Sequence, residues 1–305
     1  ADGTAKPEFD AFARLTGFLA RHRQLFHDRS PEDVVVVVPQ SQLFSVRDFA
    51  TAATQRAVWA LEYGLRVPVR VLSEHATEDV RKGARLIVVP SPRTLTEAAW
   101  HALLAAADAG ATVLVTGPTD RDEYERPVDR LAAVGIHAET RPVAAVNALT
   151  VGKVQLNVPF RGSKLERLER GVMVVADPAT AGKAGAGGGR LLTVARGKGR
   201  LIWCPLPIEL ADDDAAILAV YGEALTAAQL PVHPAAGSAG VLVRPLIFRD
   251  ATLFVVVNES DSGATVALRV SGDGSRPAPS LRIAADRAVM VLVDRRTGQI
   301  LDSSQ

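Results

Sequence analysis

Val34-Val35-Val36-Val37-Val38 is an unbroken run of five β-branched residues with no polar alternation. A strand of that kind is buried on both faces, which points to a parallel sheet covered by helices on either side. Leu86-Ile87-Val88-Val89, within a strand expected at Arg85 to Val89, and Thr112-Val113-Leu114-Val115-Thr116 repeat the signal. Helical stretches separate these runs. The first follows Val38 for about four to five turns and ends near Tyr63, with Gly64 as its C-cap. A strand at Val67 to Leu72 comes next. Thr94-Leu95-Thr96-Glu97 reads as a capping box for a helix through Trp100, Leu103 and Leu104 to Ala109, stopped by Gly110. A further helix is expected between Gly117-Pro118 and Gly135, then a short strand at Ile136 to Ala138. The order is doubly wound.

Outside this block the pattern changes. Phe9, Phe12, Leu15, Phe18, Leu19, Leu25 and Phe26 recur mostly at intervals of three and four, so Pro7 to Phe26 reads as an amphipathic helix. After Val143 the segments shorten: Val154 to Val158, Val172 to Val175, and Leu191 to Cys204 folded back at Gly197-Lys198-Gly199. A helix at Asp212 to Ala228 closes the block. Pro231 to Gly240 reads as a linker. Beyond it Val241 to Phe248, Thr252 to Asn258, Thr265 to Val270, Leu281 to Ile283 and Val289 to Val293 predict a small antiparallel β-sandwich. The expected division is a terminal helix at 1–30, an α/β domain at 31–232 and a sandwich domain at 238–305.

Composition bounds the function. The 305 residues carry 35 Lys and Arg against 34 Asp and Glu, a formal net charge of +1, so no basic footprint for nucleic acid or membrane surfaces is present. Aromatics at 5% are sparse for a stacking surface. No stretch is long and apolar enough to span a bilayer. A single cysteine, Cys204, excludes an internal disulfide and leaves the compartment open, with a bacterial cytoplasm favoured over secretion. The first residue is Ala1, not Met, so trimming is expected and any targeting segment would have preceded it.

Doubly wound sheets bind ligands beyond the carboxyl ends of their strands, so the loops after Val38, Leu72, Val89 and Thr116 are the places to inspect. They offer Gln40, Ser41, Gln42 and Phe44, then Ser73, Glu74 and His75, then Ser91, then Thr119 and Asp120. No thiol stands at Thr116-Gly117-Pro118, the turn where an amidotransferase-like fold would hold its nucleophile. Cys204, beside Trp203 and Pro205, reads as a small buried hydrophobe. The six histidines never pair at ligand spacing, so neither a metal nor another cofactor is expected. Gly182 to Gly189 precedes no helix and therefore reads as a connection, not a phosphate loop. Glu166, Arg167, Glu169 and Arg170 read as a solvated face. Gln40, Gln42 and Phe44 are the candidates for reaching a substrate cleft, with burial of Phe44 under the next helix as the competing expectation.

Several stretches resemble the post-catalytic half of glycoside hydrolase family 42 β-galactosidases. Asp2 to Pro7 with the Phe-rich helix are similar to the end of that family's (β/α)8 barrel. Ala84 to Ser91, Ala109 to Gly117, and Gly197 to Glu209 with its Leu206-Pro207-Ile208-Glu209 resemble the amidotransferase-like trimerisation domain. Leu253 to Asn258 and Val291 to Leu301 are similar to the terminal sandwich. The resemblance implies an α/β fold with a doubly wound, mostly parallel sheet of the class I glutamine amidotransferase-like or flavodoxin-like kind. It also implies a catalytic barrel as partner, a homo-oligomer with a trimer expected, and a carbohydrate substrate. Catalysis there would use two glutamates about 5 Å apart. Neither falls in these 305 residues, so no catalytic residue is assigned. The alternative reading is an independent carbohydrate- or protein-binding module with a strand-end pocket lined by Gln42, His75 and Asp120.

Overall fold

A computed structural model describes residues 6–44, 47–81, 83–160, 173–176, 188–230, 240–268 and 279–305. The charge run at 166–170, almost all of the Gly182 to Gly189 stretch and the linker at 231–239 lie outside these residues. The chain divides into two compact units, one of residues 32–65 and 69–232, the other of residues 1–31, 66–68 and 233–305.

In chain order the elements begin with helix α1 (Pro7–Arg21), strand β1 (Val34–Val38), helix α2 (Arg47–Trp59) and strand β2 (Val69–Ser73). Helix α3 (Thr77–Arg81), strand β3 (Leu86–Val89), helix α4 (Glu97–Ala109) and strand β4 (Thr112–Thr116) follow. Then come β5 (Glu139–Pro142), β6 (Val146–Val151), β7 (Val154–Pro159), β8 (Met173–Ala176), β9 (Gly188–Arg190), β10 (Leu192–Arg196), β11 (Gly199–Cys204) and helix α5 (Ala215–Ala227). The last six strands are β12 (Val241–Ile247), β13 (Ala251–Asn258), β14 (Ala264–Ala267), β15 (Ser280–Ile283), β16 (Arg287–Asp294) and β17 (Ile300–Ser303).

The larger unit is built on a six-stranded sheet in the order β10-β11-β4-β3-β1-β2. All neighbours are parallel except the β10–β11 hairpin. Val34 to Val37 are at most 1% exposed, and Leu86 to Val89 are wholly buried, as their continuous apolar runs require. One core gathers Val35, Val37, Ile87, Val89, Val113 and Val115 with Trp100, Leu103 and Trp203. Burial of each such side chain contributes about 1.5–3 kcal/mol. The chain leaves β1 for β2 on one side and crosses to β3 on the other, so the sheet reverses its winding between β1 and β3.

Local differences from the sequence reading have identifiable causes. The helix after β1 does end at Gly64, yet through a π turn over Ala60–Gly64, with Leu65 N donating to Ala60 O at 2.9 Å. Gly64 lets Leu218 pack close, since a Cβ there would meet Leu218 Cδ2 at 2.5 Å and make that side chain shift. The capping box at Thr94 does not form. Thr96 is the N-cap, its Oγ1 accepting from Ala99 N at 3.1 Å, while Thr94 Oγ1 donates to Glu125. The expected helix before Gly135 is a single 3-10 turn, Ala132–Val134. Asp122 takes up that stretch instead: its Oδ1 accepts from Tyr124 N and Arg126 N, so a side chain competes with the helical pattern. The next strand is β5, displaced by a few residues from Ile136 to Ala138.

Strand β6 and its hairpin partner β7 join at Gly152, whose φ is 57°. The sequence reading missed β6 because buried Asn147 interrupts the apolar alternation; both ends of its amide bond the backbone of Ala144. In the smaller unit a four-stranded antiparallel sheet, β12-β13-β16-β17, and a two-stranded one, β14-β15, share a core of Phe254, Val256, Val291 and Val293 with Val266, Leu281 and Ile283. Helix α1 belongs to this unit. Phe18 packs with Phe248, Leu253 and Leu292, and the Arg21 and His22 side chains meet Asp302 Oδ2 at 2.9 and 2.7 Å.

Candidate functional site

The winding reversal between β1 and β3 is where a fold of this type holds a ligand. Here its own polar side chains occupy the strand ends. Gln42 follows β1 in a 3-10 turn and is 1% exposed. Its Nε2 donates to Ser91 O at 3.1 Å, and its Oε1 accepts from Thr94 N at 3.1 Å. Glu74, after β2, is equally buried and accepts backbone hydrogens from Ser41 and, at 2.7 Å, Thr96. It thus ties the loops after β1 and β3 together.

Ser91, just beyond β3, takes φ 46°, a left-handed conformation that a non-glycine residue enters at a cost of order 1–3 kcal/mol. Its surroundings hold it there. Ser91 N donates to Thr116 Oγ1 at 2.8 Å, and Ser91 Oγ donates to Glu209 Oε2 at 2.7 Å. Glu209 stands on a 3-10 turn, Ile208–Leu210, shortly after β11. It also accepts from Thr116 Oγ1 at 2.8 and 2.9 Å and from Tyr221 OH of α5 at 2.7 Å. Burial pushes the Glu209 carboxyl above the usual carboxylate range, and the Ser91, Tyr221 and Thr116 hydroxyls oppose that shift without cancelling it. Burial, followed by the neighbouring Glu209, raises the Tyr221 phenol.

The chemistry open to this cluster is narrow. Ser91 sits at a sharp strand-end turn, but it is 3% exposed, and Glu209, which accepts its hydrogen, already serves two other hydroxyls. A nucleophile needs a free base and access to substrate. Cys204 is fully buried, with burial raising its thiol far out of the reactive range. Among the described residues no three His, Cys, Asp or Glu side chains gather as metal ligands, and no helix is long and apolar enough to cross a membrane.

The three residues read as reaching a cleft differ in placement. Gln42 is inside, with both amide ends engaged. Gln40 is half-buried, its Oε1 accepting from Ser73 Oγ at 2.5 Å. Phe44 is 91% exposed, so the competing expectation of burial under α2 is corrected. Of the residues in the alternative pocket, His75 is exposed and Asp120 is paired with Arg93 at 3.1 Å. The sequence reading did not single out Glu209 or Tyr221. The signal available was one acid enclosed by apolar neighbours in Leu206-Pro207-Ile208-Glu209-Leu210-Ala211.

No family profile and no curated protein matches the chain in sequence. Solved structures do match. A GH42 β-galactosidase, Gan42B of G. stearothermophilus, superposes with a TM-score of 0.61 at 13% identity, over 87% of this chain and 41% of its own. The β-galactosidase of Bacillus circulans sp. alkalophilus gives 0.61 at 12% identity over 87% and 42%, and that of Rahnella sp. R3 gives 0.59 at 15% over 92% and 44%. The fold is one found within those enzymes. This chain spans about two fifths of their length, and at such identities the likeness concerns fold alone.

Proposed function

We propose that the chain is the noncatalytic accessory and oligomerisation region of a β-galactosidase-like glycoside hydrolase whose catalytic barrel lies upstream. The observation that carries this reading is the buried polar network at the strand ends: Gln42, Glu74, Ser91, Thr116 and Glu209 hydrogen-bond to one another and to nearby backbone instead of presenting free groups to a ligand. The superposition on part of three β-galactosidases supports it. On this reading residues 31–232 form the amidotransferase-like trimerisation domain, 238–305 the sandwich domain, and 1–30 the last helix of the barrel, which packs on the sandwich strands through Phe18. Partners are the barrel, on the same or a companion polypeptide, and further copies of the chain in a trimer. Phe44 is the side chain best exposed to reach a neighbouring cleft, with Gln40 behind it.

The test has two parts. Sedimentation velocity of the chain should give a trimer, and a barrel-bearing polypeptide should co-purify with it or be encoded in the same reading frame. A strict monomer with no such companion would overturn the reading. In the complete enzyme, F44A should raise KM for a β-galactoside while leaving the unfolding midpoint unchanged; an unaltered KM removes Phe44 from the cleft.

A further inference from the structure

A concavity lies in the smaller unit, distant in purpose from the strand-end network of the larger one. It has a volume of about 530 Å3, in the range of small-molecule sites, and lies between α1 and the β15–β16 turn. Arg14 of α1, Arg282 of β15 and Arg287 of β16 line it, together with Ala284, Ser304 and Gln305. No acidic side chain is among the lining residues, and Asp286, in the same β15–β16 turn, stays outside it. Among the described residues none of the three guanidinium groups forms an ion pair, although ten such pairs occur elsewhere.

Three guanidinium groups around one hollow favour an anion there, a preference that water and salt screen because all three are exposed. Guanidinium groups present forked donors that match carboxylate, sulfate and phosphate oxygens. The lining carries no aromatic ring, which argues against a neutral sugar held by stacking. Gly263, Ala284 and Ala288 put little side-chain bulk into the lining, and the volume exceeds what a single inorganic oxyanion needs.

We infer that this hollow binds a small organic polyanion, a molecule carrying two or more carboxylate, sulfate or phosphate groups gripped by Arg14, Arg282 and Arg287. The site is independent of the accessory role proposed above and would exist whether or not that role is correct. Two sources share this chemistry, a free polycarboxylate and an acidic saccharide. Titration calorimetry on the whole chain with citrate, with a sulfated uronate-containing disaccharide, and with neutral lactose separates them. Saturable binding of either anion, weakened about tenfold or more in R282Q/R287Q and weakened also in R14Q, supports the site. Whichever anion binds more tightly names the source. All three arginines are exposed, so the variants should keep the wild-type melting curve, and R14Q alone serves if the double variant does not. No saturable binding of either anion, equal binding of lactose, or binding unchanged in both variants would overturn the inference.

Discussion

Glu209 is a buried acid that receives three hydroxyl hydrogens, and its protonation is linked to folding. Its folded pKa is raised above the unfolded value. The stability tied to its protonated form is therefore complete below the unfolded pKa, near 4.3, and is lost as pH rises through the folded value. Urea unfolding at pH 5 and pH 8 should show a smaller pH loss in E209Q than in the parent; an identical loss contradicts the linkage. E209A strands the Ser91, Thr116 and Tyr221 hydroxyls and should cost about 3 kcal/mol or more. Phe44 is the opposite case. With 91% of its surface in water, F44A should shift stability by less than about 0.5 kcal/mol in the same experiment. Neither residue's setting was legible in advance. Burial of a lone glutamate depends on which distant hydroxyls fold around it, and Ser91 and Tyr221 lie 118 and 12 residues away in sequence.

At the scale of elements much more was readable. The parallel strands and the β10–β11 hairpin were marked by continuous apolar runs and by Gly197-Lys198-Gly199, because those features are local. Gly197 takes φ 53°, and a Cβ on Gly199 would lie 2.1 Å from Ala111 O and 2.6 Å from Ala107 O. Backbone cannot yield cheaply there. G199A should destabilise by about 2–3 kcal/mol or more in chemical unfolding, and a near-neutral effect would contradict the packing of this hairpin on α4. Asp294 organises the turn between β16 and β17 by equally local bonds. Its Oδ1 accepts from Arg296 N, Thr297 N and Thr297 Oγ1, and these bonds, led by those of Thr297, hold its carboxyl below the ordinary range. What failed were the stretches where a polar side chain captures backbone, as Asp122 does before the 3-10 turn and Asn147 does in β6.

The attachment of α1 belongs to this scale too. Asp302 receives His22 first and Arg21 second, and its carboxyl is pulled down to about 2. Stability from this pairing is present above the unfolded carboxylate pKa and fades as pH falls towards 2. Its partners are partly exposed and screened by solvent, so the effect is local. D302N should increase amide exchange in α1 at pH 6 while leaving the β12–β17 core protected; unchanged exchange in α1 would contradict the tether.

For the whole molecule, the sheet order and the composition pointed the same way. A doubly wound sheet sets out a ligand crevice at its winding reversal, and the glutamine, glutamates and hydroxyls this chain places at those strand ends are buried and bonded within the protein. The fold class was readable because strand burial is written in consecutive residues. The state of these polar groups was not, because buried and accessible ones can be the same residue types at the same strand ends. The most direct measurement is hydrolysis of an aryl β-galactoside by the purified 305-residue chain alone. The account predicts a rate indistinguishable from buffer at any protein concentration. Steady turnover that rises with protein concentration and is abolished by a single substitution at Ser91 or Glu209, with the fold retained, would contradict it.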